Sequence, residues 1–293
     1  MEQYYTQCPS ELAFSIPRFQ ELLKTKNIGR CFIYREQVES TMDVAKAQAE
    51  EKCPTGTLIL AEEQTKGRGR KGRAWSSEGQ GKSLYFTIVF HLNMEKASEL
   101  IKLNLAIPLA VALTLKDEGL KTCGIKWPND VWVIPEQSTT SNAKKISGML
   151  IDSVQTGESL FGLAGVGINL NQSFMSSNNT RQAVEEKNEL LNIATSYFDE
   201  TNKTVEREKF LAHFCNTLEA LLGLSQKEVL VLYKSNDILL GKDVTVIPAD
   251  SKSAPYSAKA VGISKFGNLL VELNDGSGVK ELVAEEVSIR PIF

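Results

Sequence analysis

Two strand-like segments, GTLILAEEQ (56–64) and SLYFTIVF (83–90), bracket the feature that most limits this chain: KGRGRKGRAW, residues 66–75. Between Lys66 and Arg73 the loop holds five cations and three glycines and no acid, although the whole chain carries a formal net charge of −3. β-Branched and aromatic residues on either side predict strands, so the loop is a strand-to-strand connection. Gly67, Gly69 and Gly72 formally satisfy GxGxxG. A dinucleotide fingerprint, however, needs a helix beginning at its third glycine. Here the chain runs through AWSSEGQGK into a strand, so the doubly wound reading fails on context, and no Walker A motif is present.

A solvated surface loop is the plain reading of such a charge run. Glycine, however, lets a backbone approach a ligand closely, and arginine offers planar paired donors to carboxylate or phosphate. A loop of this kind ending in Trp75 can clamp an anion beside a flat ring, and it can equally bind RNA. The loop alone does not decide between them.

The rest of the chain narrows the class. Its 42% hydrophobic and 24% charged residues describe a globular protein with a sizeable core. Slight acidity argues against a general nucleic-acid coat. Five cysteines (Cys8, Cys31, Cys53, Cys123, Cys215) without a CxxC pair suit reduced thiols better than disulfides or a zinc site. No secretory leader is read at the start, and no apolar run is read as approaching a bilayer span of roughly 20 residues. The expected location is cytoplasmic.

Along the chain, CFIYREQV (31–38) predicts a strand and ESTMDVAKAQAEEK (39–52) a helix, with Ser40 and Asp43 placed as a capping box. A long apolar helix is expected over 97–118, kinked or broken near Pro108. Strands are expected at 131–134, 145–154 and 159–170, the last two joined by the hairpin turn QTGE. Phe210, Leu211, Phe214, Leu218 and Leu221 mark an amphipathic helix ended by Gly223, and a further helix follows at 226–235. After Gly241 short strands alternate with Gly, Asn and Asp turns. Polar loops are expected at 137–143 and 171–180. The expected organisation is an arm (1–29), a main domain (30–239) and a small β-barrel domain (240–293).

Three further stretches carry chemistry. KWPND (126–130) puts a cation, an aromatic, a rigid proline, an amide and a carboxylate side by side. KKISGML (144–150) begins with Lys144 and Lys145, and GVGIN (165–169) closes a strand with two glycines and an amide. Each has an ordinary structural reading as core, turn or surface charge. In this order, the set ESTMD, EEQTKGRGRKGRAW, KWPND, KISGML and GVGIN resembles the catalytic domain of biotin protein ligases, over residues 30–235.

That resemblance implies an α+β fold: a mixed, largely antiparallel sheet flanked by helices, with a small SH3-like β-barrel after it. It implies an ATP-dependent ligase that makes biotinyl-5′-AMP and pyrophosphate. Biotin then passes to one lysine of the carrier domain of a biotin-dependent carboxylase. The basic loop answers a physical need, since like charges 4 Å apart repel by roughly 4 kcal/mol even at an effective dielectric of 20. By resemblance, Ser40, Thr41, Gln64, Gly67, Arg68, Arg70, Trp127, Lys145 and Gly148 would bind biotin. Arg68, Arg70, Arg73, Trp75, Asn129, Lys145 and Asn169 would bind the nucleotide. Arg70, Lys145 and Asp130 would be catalytic, and Asn129 and Asp130 would sit near Mg²⁺.

Three departures stand out. Met42 occupies a position where Asn is common, the segment before the KISG strand is long, and Lys145 is preferred to Lys144 only by aligning that strand. The 30 residues before the first strand are too few for a winged helix, so no sequence-specific nucleic-acid partner and no membrane are expected, with a monomer or homodimer left open. A lipoate-protein ligase is the nearest rival, and an RNA- or single-strand-binding module is the rival from another class.

Overall fold

The computed structural model describes residues 13–76, 81–93, 97–134, 143–174, 194–249, 253–284 and 287–292. Cys8, the expected loop at 137–143 except Ala143, and most of that at 171–180 fall outside them. The chain divides into two compact units. The first comprises residues 1–91, 150–173 and 196–216, and the second 92–149, 174–195 and 217–293. The expected boundary at 239/240 lies within the second.

The first unit begins with α1 (Ile16–Leu22), capped by the Ser15 side chain. Strand β1 (Phe32–Val38), helix α2 (Thr41–Glu50) and strand β2 (Thr57–Gln64) form a βαβ crossover, with β1 and β2 parallel and in register from Phe32↔Leu58 to Val38↔Gln64. A parallel pair brings both strands' C-terminal ends to one edge. The start of α2 and the end of β2 therefore meet there. Strand β3 (Leu84–Leu92) returns antiparallel to β2. Met42, Ala45, Ala49 and Cys53 of the α2 segment are buried with Ile59, Val89, Phe161 and Leu163.

Strands β4 (Cys123–Lys126), β5 (Asp130–Val133), β6 (Lys144–Thr156) and β7 (Ser159–Ile168) complete a mixed seven-stranded sheet of order β1-β2-β3-β7-β6-β5-β4. Gly157, at φ +60°, makes the β6–β7 turn where QTGE predicts one. The expected α+β class is the one observed.

In the second unit α3 (Ala97–Asp117) runs unbroken through Pro108. The missing Pro108 N–H leaves the carbonyl of Asn104 without its helical donor, and Asn104 is exposed, so water can serve it. By length and composition the stretch Ser98–Asp117 could cross a membrane, which corrects the expectation that no apolar run is long enough; 61% of an 18-residue apolar window within it is buried, as in a core helix. Helix α4 (Tyr197–Thr201) belongs to the first unit. Helices α5 (Arg207–Gly223) and α6 (Gln226–Ser235) follow, and α6 carries a full capping box at Ser225 and Glu228. Beyond them β8 (Asp243–Pro248), β9 (Tyr256–Ile263), β10 (Leu269–Leu273), β11 (Val279–Leu282) and β12 (Val287–Ile292) form an antiparallel sheet of order β11-β10-β9-β8-β12, consistent with an SH3-like module.

Candidate active site

The expected site residues fall into two clusters, one in each unit. In the first, Ser40 caps α2, its side chain accepting from the Met42 N–H. The amide oxygen of Gln64, at the end of β2, accepts from the Thr41 N–H (2.8 Å) and the Thr41 hydroxyl (3.1 Å). The Thr87 hydroxyl on β3 donates to that of Thr41 at 2.8 Å. Because a backbone N–H can only donate, the Gln64 amide is fixed with its oxygen toward α2, which turns its NH₂ toward Gly67. Ser40 and Thr41 are buried. They are held here because the parallel crossover delivers them.

Asp43 does not complete a capping box. Its carboxylate pairs instead with the Arg68 guanidinium, and together with Asp152 and Glu39 it raises the Arg68 pKa. Lys66 pairs with Glu39 at 2.8 Å, and the Thr65 and Lys66 N–H groups donate to the Val38 and Glu39 carbonyls. The stem of the basic loop thus continues the β1–β2 pairing.

The loop itself is a small hairpin. Trp75 N–H donates to Gly67 O, Gly69 N–H to Arg73 O, and one 3₁₀ turn at Arg70–Gly72 closes it, with Gly72 at φ +71°. A Cβ on Gly67 would strike the Trp75 carbonyl, which is why glycine is needed there.

GVGIN explains itself in the same terms. A Cβ on Gly165 would lie 2.7 Å from the Met42 sulfur, and one on Gly167 would enter the Trp75 ring. One glycine makes room for Met42 in the core, the other seats Trp75 on β7. Met42 is therefore a packing residue. Asn169, 5% exposed, follows directly, its carbonyl accepting from Tyr197 N–H.

The second cluster lies on one face of the β4–β5–β6 ribbon. Lys126 pairs in register with Asp130, and Asp130 with Gly148. A bulge lets Trp132 face Lys145, although Asp130 and Gly148 face each other. That extra residue turns Lys145 to the side of Asp130, and the two form a 2.7 Å ion pair with side chains 29% and 18% exposed. Of the two neighbouring lysines, Lys145 is the one that meets the carboxylate. Burial pushes the Asp130 pKa up, but Lys145 and Lys126 outweigh it and hold the carboxyl below its ordinary value. The Lys126 ammonium also lies 4.8 Å over the Trp132 ring. The Asn129 amide nitrogen donates to Met149 O, and Met149 N–H returns a bond to Asn129 O. Trp127 is buried, joined to Pro128 by a cis peptide, and donates its indole N–H to Gly267 O at 2.9 Å.

Asp43 and Lys126 were not among the expected site residues. Lys126 stands inside KWPND and was legible there; Asp43 resembled a cap. Among the described residues no group of three or more His, Cys, Asp or Glu could hold a metal, and Cys31, Cys53, Cys123 and Cys215 are free thiols.

The pattern of the Biotin/lipoate A/B protein ligase family matches residues 34–169. The bifunctional ligase/repressor BirA of Bacillus subtilis is 27% identical over 96% of this chain and 80% of its own length; that of Salmonella typhimurium is 30% identical over 80% and 67%. Among solved structures, the biotin protein ligase of Aquifex aeolicus in complex with biotin and ATP superposes with a TM-score of 0.68 at 29% identity, covering 90% of this chain and 100% of that one. The Leishmania major biotin protein ligase in complex with biotinyl-5-AMP gives 0.51 at 25% identity, covering 87% and 99%.

Proposed function

The chain belongs to the biotin/lipoate A/B protein ligase family, and we propose that it acts as a biotin–protein ligase. A biotin carboxylate oxygen attacks the α-phosphorus of ATP, the bond to the β,γ-pyrophosphate breaks, and biotinyl-5′-AMP forms. An acceptor lysine amine then attacks the biotinyl carbonyl, AMP leaves, and an amide joins biotin to a carboxylase carrier domain.

The observation that carries this reading is the fixed amide of Gln64. With its oxygen committed to Thr41, it offers a neutral N–H donor at the root of a cationic hairpin. A uncharged urea with a carboxylate tail is suited to such a pairing of polar donor and cations, and Ser40 and Thr41 complete the ring's recognition. Gly67 and Arg68 line the same hairpin, while Gly148 would contribute to the biotin site from the KISG segment. Arg70 neutralises the attacking carboxylate and α-phosphate; Arg73 and Arg68 help to bind the phosphates, Trp75 lies beside the adenine, and Asn169 reads its edge. Preorganised cations of this kind are worth more in a water-poor site than in water.

Lys145 offers its ammonium to the phosphate, held in place by Asp130. A carboxyl below its usual pKa is a poor proton acceptor near pH 7, so Asp130 acts by charge and orientation rather than as the base for the acceptor lysine. Asn129 and Asp130 are oxygen donors of the kind that holds Mg²⁺ together with ATP phosphates, and the ion would neutralise phosphate charge there.

The test is biotin-dependent exchange of labelled pyrophosphate into ATP. Wild type should exchange only with biotin, and Arg70→Ala and Lys145→Ala should each lose at least a hundredfold, the scale for removing a transition-state cation. Exchange supported better by lipoate or octanoate would move the protein to the other branch of the family. No exchange with folded protein and Mg²⁺ would refute the assignment.

A further inference from the structure

KWPND is followed through the second unit by an unexpected partner. Trp127 is 2% exposed, and its indole N–H is used on Gly267 O, in the turn between β9 and β10. That turn is built rigidly. Gly267, at φ +80°, donates to Ser264 O; Ser264 N–H donates to Asn268 O; and the Ser264 hydroxyl accepts from Phe266 and Asn268 N–H while donating to Glu281. It is clasped on the other side by Gln226 of α6, which donates to Lys265 O at 2.7 Å, and packs near Ile101 and Leu105 of α3.

A second tether reaches the strand just before Trp127. Ile125 N–H donates to Asn236 O (2.7 Å) and accepts at its carbonyl from Ile238 N–H (2.9 Å), so the segment entering the C-terminal sheet pairs as a short extra strand on β4. A side chain on Gly124 would strike Ile238 and the Asn236 carbonyl. One tether holds the backbone just before the motif and the other holds the side chain of Trp127 within it, and Trp127 is separated from Asn129 only by Pro128.

We propose that the Ser264–Asn268 turn and the Asn236–Ile238 strand brace the KWPND turn, with Trp127 as a positioning residue through which the C-terminal sheet sets the place of Asn129 and Asp130 and thereby the affinity for ATP. The inference rests on the ligase reading above and deepens it. It distinguishes Trp127 as a brace from Trp127 as part of the biotin wall.

The experiment compares Trp127→Phe, which keeps an aromatic ring but removes the donor together with part of the buried indole, and Ser264→Ala, which loosens the turn at its hydroxyl and leaves Trp127 intact. Val246→Ala, in β8 away from the turn, serves as the control for stability lost from the same sheet. In the exchange assay, Trp127→Phe and Ser264→Ala should raise the KM for ATP about five- to tenfold, the scale of one buried hydrogen bond, and leave the KM for biotin within about twofold. The Trp127 indole N–H resonance, assignable because the chain has three tryptophans, should exchange slowly with solvent in wild type and faster in Ser264→Ala. A raised biotin KM with ATP unchanged, or an equal ATP effect in Val246→Ala, would overturn the brace. Absence of biotin-dependent exchange in wild type would refute the ligase reading instead. The indole resonance still tests the brace in that event, and rapid exchange there would overturn it.

Discussion

Glu62 should be the most sensitive single position in the first unit. It is 2% exposed, and its carboxylate accepts five hydrogen bonds: two from Arg207 (2.7 and 3.1 Å), and one each from Phe14 N–H, Gly81 N–H and the Tyr34 hydroxyl. Arg207, 5% exposed, also donates to Ser83 O. The pair joins the segment before α1, β1, β2, the far end of the basic loop and the start of α5. Glu62→Gln keeps the shape but removes the charge, and on either side it turns an NH₂ toward N–H groups that only donate. Breaking one partner of a buried ion pair leaves an uncompensated charge and costs about 3–5 kcal/mol. At about 3 °C per kcal/mol for a chain of this size, the thermal midpoint should fall by roughly 10–15 °C. Arg207→Met should cost a similar amount, and the double variant much less than the sum, with at least about 2 kcal/mol of coupling in urea titrations. A loss under about 1 kcal/mol for Glu62→Gln, or strict additivity, would refute the reasoning.

Gln64→Glu should preserve the bonds from Thr41 and the fold while replacing the NH₂ donor with an anion; biotin KM should rise at least tenfold with the thermal midpoint little changed, and unaltered binding in calorimetry would remove Gln64 from the biotin site. Gly167→Ala should push the Trp75 ring off β7, shifting tryptophan emission and weakening nucleotide binding, whereas an unchanged spectrum would contradict the packing described. Gly165→Ala should cost about 1–3 kcal/mol by crowding Met42, and Met42→Ala should recover part of that loss in the double variant. Burial raises the Asp237 pKa to about 6, above its unfolded value of 3.8, so the folded state binds the extra proton between them. Stability from this group therefore falls as pH rises from about 4 to about 6 and is flat above; Asp237→Asn, which keeps the oxygen that accepts from Leu239 N–H, should stabilise the protein at pH 7 by roughly 3 kcal/mol and flatten that slope.

Much of this protein is written in local pattern. The period-3.6 apolar spacing of α5, the β-branched runs of β1, β2 and β3, and the glycine turn between β6 and β7 depend on near neighbours, so the chain alone specifies them. The paired motifs around the arginine loop and KWPND belong to the same class of information, because their chemistry requires particular residue types at short spacing. What the tertiary structure decided is which of these residues meet. Asp43 looks like a cap until a parallel crossover sets Arg68 beside it. Lys145 faces Asp130 only because a bulge shifts the pairing by one residue, which no side-chain periodicity reveals. CGIK is too short to announce a strand, and β4 is fixed by partners a hundred residues on, at Asn236 and Ile238. Glu62 and Arg207 lie still farther apart, and a charge in a strand reads as solvated until burial and five donors show otherwise. Local free energies select the elements, whereas contacts distant in sequence, with the desolvation and loop-closure costs they must offset, select the partners.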